Sequence, residues 1–232
     1  MSGSASGDGM TAWKTDGLIR WAGHASFILS HEGKRAWIDP FRISGAADQK
    51  ADLVLITHPH FDHYSEADMA MVAQPGCTVV APRGCVSSKR YKVVELSPGA
   101  GTLANGIGIE AVPAYNTHGA RLQFHPKSNN WLGFIVTIGG KRIYHAGDTD
   151  AIEEMGSLPN IDYALLPIGG TYTMDVEEAL KAAEMINARH VVPMHYKALL
   201  GREGAAKALE RFKGGAANAL PLEEIQEPAY SF

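Results

Sequence analysis

Apolar and polar residues alternate in short runs near the start of the chain: Leu18–Trp21, Ser26–Leu29 and Arg35–Ile38. Period-two alternation puts one face of each run into a core, and His31-Glu32-Gly33-Lys34 supplies turn residues, so this segment predicts an antiparallel hairpin or meander. Leu53–Thr57 (LVLIT) is apolar without interruption, the pattern of a strand covered on both faces, and His58-Pro59 ends it because proline cannot donate to a ladder. Ser65, three residues before Asp68, predicts an N-capped helix over 66–73, closed by Pro75-Gly76. Thr78–Ala81, Lys92–Leu96 and Ile107–Pro113 read as short strands between Gly/Pro turns.

The second half repeats this rhythm. Trp131–Ile138 and Arg142–His145 flank Gly139-Gly140, a turn that accepts positive φ, and so predict a hairpin. Tyr163–Ile168 (YALLPI) is a second continuous apolar run. Asp175 and Glu178 form a capping-box pattern ahead of a helix over Val176–Ala188, where Val176, Leu180, Ala183 and Ile186 keep helical spacing. His190–Met194 is a further strand, and 203–212 a further helix. Two halves of meander, strand and helix, without a repeat in sequence, predict an α/β architecture with sheets inside and helices outside.

Composition narrows the classes. A chain of 232 residues that is 45% apolar and 20% charged can bury a sizeable core, which argues against disorder and against a disulfide-stapled miniprotein. A formal charge of −4 speaks against a broad nucleic-acid-binding surface. Cys77 and Cys85 form no CxxC and read as core thiols. The Gly/Ser-rich start lacks the features of a signal peptide, and no apolar stretch is long enough to span a bilayer. Residues 1–12 are therefore expected to be a flexible tail, 13–232 a single domain, and the location cytoplasmic.

The histidines change the picture. Thr57-His58-Pro59-His60-Phe61-Asp62-His63 places three imidazoles and a carboxylate directly after a buried strand, where α/β proteins set their active sites. These are ligand types that zinc, iron and manganese accept. With alternate residues facing one side, His58 and His60 can reach one ion while Asp62 and His63 reach a second.

This THxHxDH loop resembles the hallmark of the metallo-β-lactamase superfamily, and the likeness runs from about Leu18 to Tyr196. Asp39 in WIDP resembles the early aspartate that orients the histidine loop. Asp148 in HAGDT resembles the aspartate shared by both metals, and His195 in PMHY the last histidine ligand. GHAS (Gly23–Ser26), AYN (Ala114–Asn116), HPK (His125–Lys127) and GGTYTMD (Gly169–Asp175) resemble the stand-alone metal-dependent hydrolase branch, near the L-ascorbate-6-phosphate lactonases. The resemblance implies a four-layer αββα sandwich holding two divalent ions, Zn²⁺ first, with Mn²⁺ or Fe²⁺ as alternatives. The third imidazole for the first ion is open between His118 and His125. Proximity to the preceding strand favours His118, while the AYN-then-HPK pattern and the extended conformation that Pro126 imposes favour His125, the one adopted here.

The reaction this implies is hydrolysis of an ester, lactone or phosphodiester in a small metabolite, with a phosphorylated or lactone compound first. A binuclear centre would bring the pKa of bound water from 15.7 towards about 7. Asp62 is the candidate proton carrier and Asp148 the bridge. His24 is read as either hydrogen-bonding near the metals or filling a polar notch, and His145 as structural. Tyr172 and Lys127 are the candidate substrate contacts, with Arg121 a further cation. The alternatives are a nucleic-acid phosphodiesterase and a mononuclear-iron sulfur dioxygenase. A small-molecule partner is expected, without membrane or nucleic acid, and homo-oligomerisation is left open.

Overall fold

The computed structural model describes residue 15 and residues 17–44, 49–226 and 230–231, so the tail read over 1–12 lies outside the described residues. The alternating runs at the start pair as expected. β1 (Ile19–Gly23), β2 (Ser26–His31) and β3 (Lys34–Ile38) are antiparallel neighbours, and β4 (Ala51–Leu55), β5 (Ala73–Pro82) and β6 (Lys92–Leu96) extend the sheet in parallel. Parallel neighbours need a crossover, and α1 (Glu66–Val72) supplies it between β4 and β5.

The second sheet runs in the order β12-β11-β10-β9-β8-β7. It comprises β7 (Gly101–Ala104), β8 (Ile107–Pro113), β9 (Leu132–Ile138), β10 (Lys141–His145), β11 (Tyr163–Pro167) and β12 (His190–Met194). β7 to β10 are antiparallel, and β10 to β12 parallel. α2 (Val176–Ile186) connects β11 to β12, and α3 (Lys197–Gly215) follows.

Strand alternation sorts the core into layers. Phe27, Leu29, Ile38, Leu53 and Leu55 face inward and join Ile109, Phe134 and Val136 of the second sheet in one cluster. Their neighbours Ile28, Trp37, Val54 and Val79 point the other way and pack with Met69 and Val72 of α1. α2 and α3 bury Ala179, Ala182, Ala205 and Phe212 on the second sheet's side of the main cluster. Two sheets face to face with helices outside make the αββα sandwich. Cys77 and Cys85 lie in the α1 cluster, where burial pushes both thiols up to about 12 and so keeps them protonated. No helix among the described residues is long and apolar enough to cross a membrane.

Several elements differ from the sequence expectation. β7 has no counterpart among the expected strands, although Asn105-Gly106, at φ 51° and 73°, is a strong hairpin signal before Ile107. α1 ends at Val72 and Pro75-Gly76 falls inside β5, whose pairing with β4 shifts register between Ala51 and Leu53. α2 stops at Ile186 rather than Ala188, because Asn187 turns left-handed (φ 50°) and its N–H reaches Ala183 O. α3 begins at Lys197, six residues ahead of the expected 203, with a non-helical break at Gly201 (φ 65°, ψ 177°) that interrupts the periodicity.

Candidate metal centre

The candidate ligands arrive from both sheets. His58–His63 leaves β4 of the first sheet, whereas His125, Asp148 and His195 follow β8, β10 and β12 of the second. The loop after β4 is pinned at its root. Thr57 donates its N–H to Asp39 Oδ1 (2.8 Å) and its hydroxyl to Asp39 Oδ2 (2.6 Å). The same carboxylate lies 2.7 Å from His63 Nδ1, which leaves His63 Nε2 facing the centre. Thr57 Oγ1 also lies 2.9 Å from His58 Nδ1, so His58 likewise presents Nε2.

His125 is oriented from the second sheet. Its backbone N–H donates to Asn116 Oδ1 (3.1 Å), and its Nδ1 is 2.8 Å from the same oxygen. Asn116 Nδ2 in turn donates to Asp150 Oδ1 (3.1 Å) and to Tyr172 O (3.0 Å), tying three loops together. Trp131 stands against the first three rings, 5.0 Å from His58, 4.8 Å from His60 and 5.7 Å from His125.

Two histidine groups result. Ligand atoms of His58, His60 and His125 lie within 4.8 Å of one another, as do those of His24, Asp62, His63 and His195. Asp148 sits between the groups, 3.3 Å from His63 Nε2, 3.3 Å from His125 Nε2 and 3.2 Å from His195 Nε2. His63 Nε2, His125 Nε2, His195 Nε2 and Asp148 Oδ1 are all buried without a hydrogen-bond partner among the described residues. A buried polar atom left unpaired costs roughly 1–3 kcal/mol, so four converging on one point fit a group that accepts their lone pairs. Three imidazole nitrogens and a carboxylate oxygen are the donors a divalent transition metal takes.

Electrostatics divides the cluster. Burial holds the His58 imidazole well below its ordinary range and His60 lower as well, so both stay neutral and ready to donate a lone pair. Against the pull of burial, Asp148, Asp62 and Asp39 hold His63 well above that range, and Asp148 raises His195 to about 9. Asp62 and Asp148 are kept ionised, against burial, chiefly by His63 for Asp62 and by His195 and His63 for Asp148.

The remaining candidates separate clearly. His24 Nε2 lies 3.0 Å from Asp62 Oδ2, and burial pushes this imidazole down to about 3. His145 is fully buried with Nε2 2.8 Å from Ala25 O, a structural bond between the sheets. His118 is exposed, and its backbone N–H donates to Asp150 (2.8 Å). Tyr172 lines a cavity of about 340 Å³ together with His60, Asp62, His125 and Asp148. Lys127 is not among the residues lining that cavity, and its Nζ donates to Tyr115 Oη (3.0 Å) and Glu154 (3.2 Å). Arg121 is buried, paired with Glu178 (2.5 Å) and 3.1 Å from Asp150.

Sequence reasoning assigned no role to Trp131 or Asp150, and gave Asn116 none beyond its place in AYN. A period-two pattern cannot show a contact made across the seam between sheets. The backbone carries its own signal: His24, Asp39 and His195 adopt left-handed φ of 49°, 44° and 56°. Each such non-glycine residue costs about 1–3 kcal/mol, and outliers of this kind gather at functional sites. His195 N–H donates to His24 O (3.0 Å), so two of the three hold each other in place.

Comparison with known proteins identifies the family and the fold. The model of the beta-lactamase superfamily domain matches residues 18–195. A UPF0173 metal-dependent hydrolase of Methanoregula boonei is 36% identical over 202 residues, covering 83% of this chain and 90% of its own. One of Thermus thermophilus is 33% identical over 220 residues, covering 89% and 97%. A Parabacteroides distasonis protein of known structure, 32% identical, superposes with a TM-score of 0.78 over 90% of this chain and 93% of its own. Igni18, a metallo hydrolase of Ignicoccus hospitalis, gives 0.71 at 29% identity over 90% and 95%. With a family model that spans everything from the first strand to the last candidate ligand, and relatives that cover most of both chains, the chain belongs to the metallo-β-lactamase superfamily.

Proposed function

We propose that the protein is a hydrolase with two divalent ions, zinc first, acting on an ester, lactone or phosphodiester bond of a small molecule. The observation that carries this reading is the convergence of buried, unpartnered His63, His125 and His195 nitrogens on Asp148. Two histidine groups on either side of one carboxylate favour a pair of ions over a single iron. His58, His60 and His125 would hold the first ion, Asp62, His63 and His195 the second, and Asp148 would serve both. Divalent ions, when bound there, lower the pKa of water towards about 7 and polarise a carbonyl or phosphoryl oxygen.

The chain's own groups supply the rest. Asp39 and Asn116 hold His63 and His125 by their Nδ1 atoms, which fixes the tautomers and aims both Nε2 atoms inward. Asp62, held ionised and 3.0 Å from His24, is the group placed to carry a proton from water to the leaving oxygen. Tyr172, which lines the cavity, is the substrate contact in this reading, and the location it assumes is cytoplasmic. The test is elemental analysis of the purified protein followed by a screen of lactones, esters and bis(p-nitrophenyl) phosphate. About two ions per chain and zinc-dependent turnover are expected; one ion in a metal-replete sample, or iron with oxygen consumption, would overturn the proposal.

A further inference from the structure

The cavity beside the candidate ligands has a marked chemical asymmetry. Towards the histidine cluster it is lined by His60, Asp62, His125 and Asp148; the rest of its lining is aromatic, from Phe61, Phe124 and Tyr172. Phe124 and Tyr172 meet edge to face, with centroids 4.8 Å apart at 85°. This aromatic wall is not loosely attached. Asn116, whose Oδ1 orients His125, donates Nδ2 to the backbone carbonyl of Tyr172, so one amide ties the candidate ligand to the main chain that carries the neighbouring ring.

No lysine or arginine lines this cavity among the described residues. The two nearby cations singled out by the sequence are engaged elsewhere: Arg121 with Glu178 and Thr173 O, and Lys127 with Tyr115 and Glu154. A phosphate carried at a distance from the scissile bond would face three rings and find no charge-assisted donor among the lining residues. An uncharged ring or branched chain meets the opposite situation, burying apolar surface against aromatic faces. The volume of about 340 Å³ leaves room for such a group, since about 150 Å³ suffices for a benzene-sized guest.

We infer that the part of the substrate remote from the reacting carbonyl or phosphoryl centre is uncharged and apolar, ring-bearing or branched, and that the substrate is not a sugar phosphate. This rests on the metal-hydrolase reading above and removes the phosphorylated option from the phosphorylated or lactone compound put first from the sequence. Phe124 and Tyr172 then act as specificity residues, contacting the remote group rather than the reacting atoms.

Three hydroxamates sharing one metal-binding head test this by calorimetry on zinc-loaded full-length protein: acetohydroxamate, phenylacetohydroxamate and 3-phosphonopropanohydroxamate. The phenyl compound should bind at least tenfold more tightly than acetohydroxamate, and the phosphono compound no more tightly. In Phe124→Ala and Tyr172→Leu the ratio of phenyl to methyl affinity should fall towards one, with bound zinc unchanged by elemental analysis. Equal affinity of the phenyl and methyl compounds, or preference for the phosphono compound, overturns the inference alone. Binding of none of the three to protein shown to hold its zinc overturns the metal-centre reading and the inference together.

Discussion

Asp148 lies 3.2–3.3 Å from three imidazoles that all point at it. In Asp148→Ala that shared acceptor disappears, so turnover should fall by about 10²-fold or more and the zinc content should drop, both read on the same preparation. The strands around it do not depend on this carboxylate, and the circular dichroism spectrum should stay native. His118 and His125 offer the sharper contrast. His125 is buried with its Nδ1 held at 2.8 Å by Asn116, whereas His118 is exposed. Under the proposed ligand set His125→Ala should lose metal and His118→Ala should keep it; the reverse result would move the first site to the other imidazole. The four candidate donors of His58–His63 were legible as a cluster because one short segment carries them all. The choice between His118 and His125 was not, because it depends on how the 114–126 loop folds back. Asn116 N–H donating to His125 O (2.8 Å), together with the side-chain bonds between the same pair, sets that path.

Gly169 shows how strand ends, rather than ligands alone, fix the site. It follows β11 beside the end of β12, where an added Cβ would collide with the carbonyl oxygen of His195 and come within 2.6 Å of Leu199 Cδ1. Gly169→Ala should therefore push His195 away from Asp148 at a cost of about 1–3 kcal/mol, seen as a lower melting temperature together with a reduced second-ion affinity. Among elements, the alternating strands and the Asp175 capping box were readable, since their signals are local periodicity and a cap that the structure reproduces. β7 went unread despite its Asn-Gly turn because Gly101–Ala104 is too short to show an alternation. α3 was truncated because Gly201 leaves the helix for one residue and hides the turn before it. Asp39 was legible as a motif, but its hold on Thr57 through both N–H and hydroxyl was not, since β3 and β4 must first pair in parallel to bring them together.

For the molecule as a whole, metal binding and folding are linked. A ligand at a hundred times its dissociation constant stabilises the native state by about 2.7 kcal/mol, so zinc should raise the melting temperature by roughly 5–10 °C and a chelator should reverse it. Loading must also displace protons. His63 is held above its ordinary range and His195 up at about 9, so zinc binding at neutral pH should release protons and tighten as pH rises towards that value. Calorimetry in buffers of different ionisation enthalpy reads this directly, and a heat independent of buffer would contradict the ligand set. The order of the strands carries one more implication. The first sheet is complete by Leu96 and the second begins at Gly101, yet each histidine group draws on both: His58 and His60 with His125, Asp62 and His63 with His195. A chain cut at the exposed Gly99 would yield two fragments, each with a whole sheet and half of every coordination shell. Neither alone should retain zinc, and their mixture should, which would turn the seam between the sheets into a metal-gated switch for split-protein reassembly.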